Sequence, residues 1–350
     1  MTGTAEERRV FRKVWASVDL RMPLADVPEF ARRAERLGFD GIAVADAIHD
    51  GPMTAAAVVT ATTRVAVRSS GFVAFARSPM TTAIAAWDLQ ALSGGRFELG
   101  LGPLVRSIIV DRYSMPWTPP APRMREYIES LRAIFACWQH GAPLHYVGEH
   151  YRFTRMQDYM KPPPLEHPDM RIVVAGIGPH MTAVAGELAD AINTHPTNSD
   201  PRFLREFTLP NLQRGAARSG RDVSEVVIIV NAMCATGATD TDVQRNREPI
   251  RALLATLYST PQYMHSLDLY GWRDRGELLH RMVREGRWGE LAGVITDEML
   301  DVFAPSAPYA ELASVLRERY EGLVQEIGVP VSDDPGDDEA ITRLVEELRA

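Results

Sequence analysis

The stretch SGGRFELGLG at residues 93–102 joins a glycine turn to a short apolar run that ends in Gly-x-Gly. An apolar run bounded by turn residues predicts a β-strand, here over residues 97–101. Residues 79–92 precede the turn and predict a helix, because a proline stands at its start. A helix that leads through a tight turn into a buried strand is typical of a parallel α/β sheet.

The same alternation continues on both sides of this stretch and predicts eight strand–helix units. The strands are expected at residues 14–18, 41–45, 65–73, 97–101, 171–175, 191–194, 226–233 and 301–304. The helices are expected at residues 24–37, 52–62, 79–92, 123–140, 179–188, 201–218, 241–258 and 309–320. This pattern favours an α/β fold of the (β/α)8 TIM-barrel class with insertions. A doubly wound sheet is the rival architecture, but no GxGxxG follows the first strand.

We expect a single barrel domain over residues 1–350 with two insertions. The first, at about residues 141–170, is rich in proline and glycine and carries aromatic side chains that need a surface to pack on. The second, at about residues 259–298, is expected to be helical and irregular. The acidic residues 333–339 predict a solvated tail before a short terminal helix.

Composition narrows the classes of function. The formal net charge is −8 over 350 residues, so nothing draws the chain as a whole to nucleic acid or to an anionic membrane. Cys137 and Cys234 form no CxxC pair, so they can build neither a disulfide framework nor a zinc cluster. No metal site is expected. Residues 4–9 are polar, and no long apolar run exists, so a cytoplasmic protein without a membrane span is expected.

Strand ends supply the candidate site residues, because barrel active sites lie at the carboxyl ends of the strands. The turn Gly176-Ile177-Gly178-Pro179 follows the predicted fifth strand and starts a helix. Its glycines allow close approach of a ligand, and the free N–H groups of the helix favour a phosphate. The alternative is a tight turn that needs glycine only for its geometry.

Two further strand ends carry histidine. Asp46, His49 and Asp50 follow the second strand, and a histidine beside carboxylates can serve as a general acid or base. The alternative is a surface loop with ordinary solvated charges. His195 follows the sixth strand and is a third catalytic candidate, although Pro196 after it also permits a role in shaping the turn.

Alanine is concentrated in the predicted helices at 52–62 and 79–92. Small residues allow close helix packing, either on the barrel or across a symmetric dimer interface, and we expect a homodimer.

Several segments resemble the luciferase-like monooxygenase superfamily. They are ARSPM at residues 76–80, AWDLQ at 86–90 and LSGGRF at 92–97, which leads to GLG at 100–102. Others resemble an actinobacterial branch usually assigned to the deazaflavin coenzyme F420: SMPW at 114–117, RMREY at 123–127, STP at 259–261 with Tyr263, and GW at 271–272. The resemblance extends over about residues 14–320.

The resemblance implies a TIM barrel that binds coenzyme F420, or alternatively FMN, at the strand ends. In the family a bulge after strand three, often with a non-prolyl cis peptide, supports the cofactor ring; Ser70, Gly71 and Phe72 occupy that place here. Gly102 at the end of strand four is assigned to the same cofactor. The turn at residues 176–179 corresponds to the place of the family's cofactor phosphate, and the helices after strands two and three to its dimer interface.

Two departures bear on the chemistry. The superfamily's deazaflavin-dependent alcohol and sugar-phosphate dehydrogenases carry a histidine after the strand-two aspartate, where this chain has Ala47. They carry threonine-glycine-glutamate after the strand-four glycine, where this chain has Pro103-Leu104-Val105. The alcohol dehydrogenase subtype is therefore disfavoured.

Three functions remain open. The first is hydride transfer between coenzyme F420 and an organic small molecule, with reduction of a C=C or C=N bond or the reverse. The second is an FMN-dependent monooxygenase that receives reduced flavin from a partner reductase. The third is a non-redox or cofactor-free member of the same fold, which the stretch at residues 103–105 favours.

Overall fold

A parallel β-barrel forms the centre of the protein. In the computed structural model, which describes residues 10–350, the sheet runs in the order β3-β2-β1-β11-β10-β9-β8-β5-β4, and β3 also pairs with β5. Every pairing in this sheet is parallel. The sheet therefore closes into the (β/α)8 barrel that the sequence predicts.

Eleven strands and thirteen α-helices are described over residues 10–350. The strands are β1 (Lys13–Ser17), β2 (Gly41–Val44), β3 (Ala66–Ser69), β4 (Phe72–Val73), β5 (Phe97–Gly102), β6 (Tyr146–Val147), β7 (Arg152–Phe153), β8 (Ile172–Ala175), β9 (Ala191–Asn193), β10 (Val227–Asn231) and β11 (Glu326–Gly328). The helices are α1 (Val27–Arg36), α2 (Gly51–Ala61), α3 (Pro79–Ser93), α4 (Pro120–His140), α5 (Pro179–Leu188), α6 (Pro201–Phe203), α7 (Leu209–Ser219), α8 (Asp240–Tyr258), α9 (His265–Leu269), α10 (Arg273–Arg284), α11 (Asp297–Phe303), α12 (Tyr309–Tyr320) and α13 (Asp338–Arg349).

Helix α3, which precedes β5, begins and ends at residues whose types the sequence already shows. The Ser78 side chain accepts a hydrogen bond from the N–H of Thr81, Pro79 opens the first turn, and Gly94 ends the helix in the left-handed conformation with φ 61°. A side-chain cap satisfies a free N–H at the start, and glycine takes a positive φ without strain at the end. The turn therefore delivers the chain into β5 in a defined direction.

The prediction of the eighth strand at residues 301–304 is wrong. Asp301 lies in helix α11, which the Thr296 side chain caps. The eighth strand is β11, which comes after helix α12 and pairs with β1 on one side and β10 on the other. The sequence does not predict β11, because a three-residue strand that opens with Glu326 lacks the apolar run typical of a strand. It predicts a strand at residues 301–304 because the periodicity of a short apolar run does not distinguish a strand from a helix.

The predicted third strand, residues 65–73, is divided in two. Arg68 of β3 pairs with Glu98, and Phe72 of β4 pairs with Leu101, so four steps along one strand match three along its neighbour. One extra residue is therefore inserted between β3 and β4, which makes a β-bulge. No peptide bond of residues 10–350 is cis, so this bulge has none.

The two expected insertions have the following structure. Residues 141–170 contain the antiparallel hairpin β6–β7 and a 3-10 turn at Asp158–Met160. Residues 259–298 contain α9, α10 and the start of α11, and with α8 they enclose an apolar core of their own. We call the segment 240–303 the cap. The terminal helix α13 buries Ile341 and Leu344 against the barrel core, while residues 1–9 lie outside the described part.

Charged side chains fill the amino-terminal end of the barrel. Arg68, fully buried, lies 3.3 Å from Glu326 and stacks over Trp15. Arg171 lies 2.9 Å from both Glu98 and Glu326. Burial alone would raise the pKa of Glu98, but the positive charges of Lys13, Arg171 and Arg68 outweigh it and hold that pKa below its usual range. The buried charges therefore depend on one another.

Replacing Glu98 by Gln is expected to lower the free energy of unfolding by about 3 kcal/mol, because it leaves Glu326 as the single carboxylate facing the buried cations Arg68 and Arg171. Equilibrium unfolding in urea measures the change. Glu29→Gln is the matched control, since Glu29 is exposed and pairs only with surface arginines; its effect is expected to stay below about 0.5 kcal/mol. Equal effects of the two variants would contradict a structural role for the buried charges.

Candidate active site

The bulge after β3 brings three small residues together at the carboxyl ends of the strands. A Cβ placed on Gly71 would lie 3.4 Å from both the Ala175 Cβ and the Gly102 nitrogen. A Cβ on Gly102 would lie 3.7 Å from the Ala175 Cβ. Gly71 has φ 141°, which favours glycine. These three residues form a surface with no side chain larger than a methyl group, which we call the glycine face.

Close packing of two strands sets the position of the bulge. The hydroxyl of Ser69 donates to the carbonyl of Gly100 (2.8 Å) and accepts from its N–H (2.7 Å). A Cβ on Gly100 would lie 1.8 Å from the Ser69 carbonyl oxygen, so only glycine fits. The Phe72 ring is fully buried and packs on Phe97, so at this position only the backbone is available to a ligand.

Two asparagines hold the bulge from the opposite side of the barrel. The side-chain amide of Asn193 donates to the Ser70 carbonyl (3.2 Å), and the amide of Asn231 donates to Asn193 (3.1 Å). Gly328 makes room for Asn231, because a Cβ there would lie 2.4 Å from its oxygen. That Asn231 oxygen is buried with no partner among residues 10–350. The asparagines form a polar layer across the barrel.

Asp46 is engaged in structural bonds. Its carboxylate accepts from the N–H of Gly51 (3.0 Å) and from the N–H of Val73 (2.9 Å). Arg77 lies 3.2 Å from it and 2.7 Å from Asp50. These contacts tie the second strand end to the bulge and leave little of the Asp46 carboxylate free, so they favour a positioning role over proton transfer. A catalytic role of Asp46 stays a prediction.

His49 does not join these carboxylates. It is partly exposed and lines a small cleft with Val18, Asp19 and Met22 near the end of β1. Within residues 10–350 its ring makes no hydrogen bond to Asp46 or Asp50. The histidine beside carboxylates that the sequence suggests is thus not formed, and a role of His49 as proton donor stays a prediction.

The turn after β8 has an open helix start. Gly178 is the N-cap of α5, no side chain caps it, and a Cβ there would meet nothing within 4 Å. The N–H groups of His180 and Met181 are in the first turn, where helices lack internal acceptors. Gly176 has another reason to be glycine, since a Cβ there would lie 2.8 Å from the Met181 side chain. The open N-terminus of α5 adjoins the glycine face through Ala175.

His195 lies at the end of β9 in a tight set of contacts. Its Nδ1 is 2.7 Å from the hydroxyl of Thr197 and 3.3 Å from the backbone nitrogen of the same residue. The Tyr263 ring stacks on the imidazole with centroids 4.3 Å apart. Burial lowers the pKa of His195 to about 4, so the ring is neutral near pH 7.

Thr197 also anchors the cap. Its carbonyl accepts hydrogen bonds from the hydroxyls of Tyr258 (3.0 Å) and Ser266 (2.6 Å), both fully buried. The cap therefore rests on the loop after β9, and Tyr263 lies between those two anchors in sequence. A buried hydroxyl without a partner is costly, so both bonds fix the position of the cap.

Residues 103–105, where this chain differs from the family's dehydrogenases, include a residue with an unusual backbone conformation. Leu104 has φ 54°, a left-handed conformation that strains a residue with a branched side chain. The strained residue lies two positions beyond Gly102 and directly follows Pro103, which offers no N–H.

Sequence reasoning missed several of these residues. Asn231 ends the seventh strand, where the strand-end rule that selected Asp46 and His195 also applies. Thr197 carries no such signal. Tyr263 and Arg77 stand in segments of the family resemblance, but their contacts in the site join distant segments and could not be inferred from them. Among residues 10–350 no cluster of His, Cys, Asp or Glu could hold a metal ion, and no helix there is long and apolar enough to cross a membrane.

One sizeable cavity lies away from the strand ends. It measures about 640 Å³ and is lined by helical residues that include Arg202, Arg205, Glu298, Asp301 and Arg319. Because its lining carries both acidic and basic side chains, its charge does not favour one class of ligand.

A profile of the luciferase-like monooxygenase family matches residues 5–326. This chain belongs to that family. The match makes it an enzyme and an oxidoreductase of the luciferase-like type, as the resemblance predicts. An uncharacterised protein of Mycobacterium tuberculosis is 41% identical over 304 residues, which are 87% of this chain and 89% of that protein.

Two further luciferase-like relatives carry names that mention a coenzyme. A putative coenzyme F420-dependent oxidoreductase of Mycobacterium tuberculosis is 29% identical over 295 residues, 78% of this chain and 81% of that protein. The solved coenzyme F420-dependent tetrahydromethanopterin reductase of Methanopyrus kandleri superposes with a TM-score of 0.78 at 17% identity and covers 96% of this chain and 97% of its own. At that identity the superposition establishes the shared fold.

Proposed function

We propose that this luciferase-like enzyme transfers a hydride between coenzyme F420 and an organic small molecule. The observation that carries the proposal is the glycine face (Gly71, Gly102 and Ala175), which adjoins the open N-terminus of α5. A flat ring system fits a surface without side chains, and a phosphate fits free N–H groups at a helix start. Two similar proteins whose names state F420 dependence support the choice of coenzyme.

The chain's own residues would divide the work as follows. The deazaflavin, when bound, supplies the hydride chemistry. Ser70, Gly71 and Phe72 would support its ring through their backbone, with Gly102 beside them. Ile177, Gly178 and Pro179 would place the helix N–H groups against its phosphate, while Gly176 keeps the turn tight. Asn193 and Asp46 would hold the bulge in place during the reaction.

The substrate class follows from the same arrangement. Reduced deazaflavin donates hydride and reacts poorly with oxygen, so we expect reduction of a C=N or C=C bond, or the reverse reaction. The Methanopyrus kandleri structure is of a reductase, which agrees with this class. Ala47 stands where the alcohol dehydrogenases carry histidine, so alcohol oxidation is disfavoured.

The second candidate is an FMN-dependent monooxygenase, which the name of the matching family favours. It would use the same phosphate turn and would need a partner reductase to supply reduced FMN. The strained backbone at Leu104 keeps a third candidate open, a member of the fold that binds neither cofactor.

Titration of the purified protein with coenzyme F420 and with FMN, followed by fluorescence, separates the three. We expect saturable binding of F420 at least about tenfold tighter than that of FMN, a difference of roughly 1.4 kcal/mol. Reoxidation of reduced F420 by a panel of imines and enones then tests hydride transfer. Selective FMN binding would replace the proposal with the monooxygenase, and binding of neither would leave a cofactor-free enzyme.

The phosphate site has a test of its own. Gly178→Asp places a carboxylate over the free N–H groups, where it caps the helix and repels a phosphate. We expect F420 affinity to fall at least about tenfold more in this variant than in Gly178→Asn, which caps without charge. Thermal unfolding should show both variants folded, since a Cβ at this position meets nothing. Equal affinities would place the phosphate elsewhere.

We also propose that the enzyme forms a homodimer through α2 and α3. Their alanines at positions 55, 83 and 86 pack on the barrel, but Met53, Ile84 and Leu92 of the same helices are more than half exposed. Sedimentation velocity is expected to show a dimer that Ile84→Asp dissociates, because a buried charge at an apolar interface is costly. Val147→Asp, at a similarly exposed apolar position in the β6–β7 hairpin, should leave the dimer intact. A monomeric native protein would overturn this interface.

A further inference from the structure

The imidazole of His195 is held on one edge and one face. On the edge, Nδ1 contacts both the hydroxyl and the backbone nitrogen of Thr197. On the face, the Tyr263 ring stacks with an interplanar angle of 21°. The other ring nitrogen, Nε2, makes no hydrogen bond within residues 10–350 and is not sealed from solvent. A ring fixed on two sides with a single free nitrogen can present only that nitrogen to a ligand.

Counting hydrogens decides which nitrogen carries the proton. A backbone N–H can only donate, so the 3.3 Å contact from the Thr197 nitrogen requires Nδ1 to be an acceptor. The Thr197 hydroxyl, 2.7 Å away, must then also donate to Nδ1. In the other tautomer the N–H of Thr197 would face a second N–H and lose its partner. The neutral ring therefore carries its proton on Nε2.

This assignment requires the oxygen and nitrogen of the Asn198 amide to be exchanged, because otherwise the Thr197 hydroxyl would donate its one hydrogen to Asn198. Its side-chain oxygen lies 2.8 Å from the Thr197 hydroxyl, while its amide nitrogen is buried without a partner. Oxygen and nitrogen of an amide are assigned from the hydrogen-bond network, and exchanging them keeps the contact. The amide then donates to the Thr197 oxygen, whose own hydrogen is committed to His195. The buried N–H₂ group thereby gains a partner, and the amide oxygen takes the unpartnered position.

We propose that His195 is a neutral hydrogen-bond donor whose Nε2–H is offered to an oxygen or nitrogen acceptor of the bound substrate. Thr197 and Tyr263 are its positioning residues. The identity of the acceptor rests on the proposed function, because an imine gathers negative charge on its nitrogen, and an enone on its oxygen, as hydride reaches the carbon. A preorganised neutral donor stabilises that charge and keeps its own proton. The proton that the product takes up comes from water. This role differs from the acid–base role expected from the sequence.

Within the described part of the chain, no charged group near His195 favours protonation of its imidazole. The shift of the His195 pKa to about 4 has burial as its cause, with no contribution from a charged group. The groups packed against the ring are the phenol of Tyr263, whose own pKa burial raises, and the uncharged side chains of Thr197 and Asn198. A neutral surrounding favours a neutral imidazole over the whole physiological range.

Long-range ¹H–¹⁵N NMR of the ¹⁵N-labelled protein without cofactor tests the proposal, with His195→Gln identifying the signals. We expect an unprotonated Nδ1 and a protonated Nε2 that persist from mildly acidic to mildly basic pH. A ring protonated on Nδ1, a mixture of tautomers, or a ring that becomes charged in the ordinary histidine range would overturn it. Because no cofactor is added, failure of the proposed function would leave this result unaffected.

Matched variants separate positioning from folding. Thr197→Val removes the hydroxyl but keeps the N–H, and it is expected to shift part of the ring population to the Nδ1–H tautomer. Thr197→Ser keeps the hydroxyl and should preserve the native signals. Tyr263→Phe preserves the stacking and should also leave them unchanged. If Thr197→Val and Thr197→Ser gave the same spectrum, the Thr197 hydroxyl would not be the group that fixes the tautomer.

Discussion

One extra residue between β3 and β4 is the constraint on which the site depends. The bulge keeps the barrel closed, because β3 and β4 both still pair with β5. It also turns the Ser70 carbonyl toward Asn193 and the Val73 N–H toward Asp46. Without it, Gly71 would continue the ladder and the glycine face would not form. The polar residues around the barrel mouth are therefore arranged to hold a backbone irregularity.

The contacts around the bulge and those around Thr197 have a common character. In both places a backbone carbonyl or N–H is held by side chains from a distant segment, as Asn193 holds Ser70 and Tyr258 holds Thr197. Rigid positioning of backbone groups suits an enzyme whose cofactor carries the reactive atoms, because the protein then contributes shape and direction. The imidazole of His195 in this region is kept neutral by burial.

Much of the barrel could be predicted from sequence because most of its strands are apolar runs between glycine or proline turns. Strand β11 is the exception. It opens with Glu326, whose carboxylate belongs to the buried charge cluster, so the segment lacks the apolar run by which a central strand is predicted. The phosphate turn could be found from Gly176 and Gly178, although only the structure shows that one faces Met181 and the other open space. The stacking of Tyr263 on His195 joins segments far apart in sequence, and no periodic pattern reports such a contact.

The position of β11 near the carboxyl terminus has a consequence for how the chain folds. Until Glu326 has been synthesised, β1 and β10 both present open edges, and each edge can pair with a strand of another molecule. Closure pairs β1 with β11, which are far apart in sequence, and such pairing is slow because the intervening chain must be ordered before the contact forms. The nascent protein on the ribosome is thus an open sheet, and its susceptibility to aggregation ends only when the last strand is inserted.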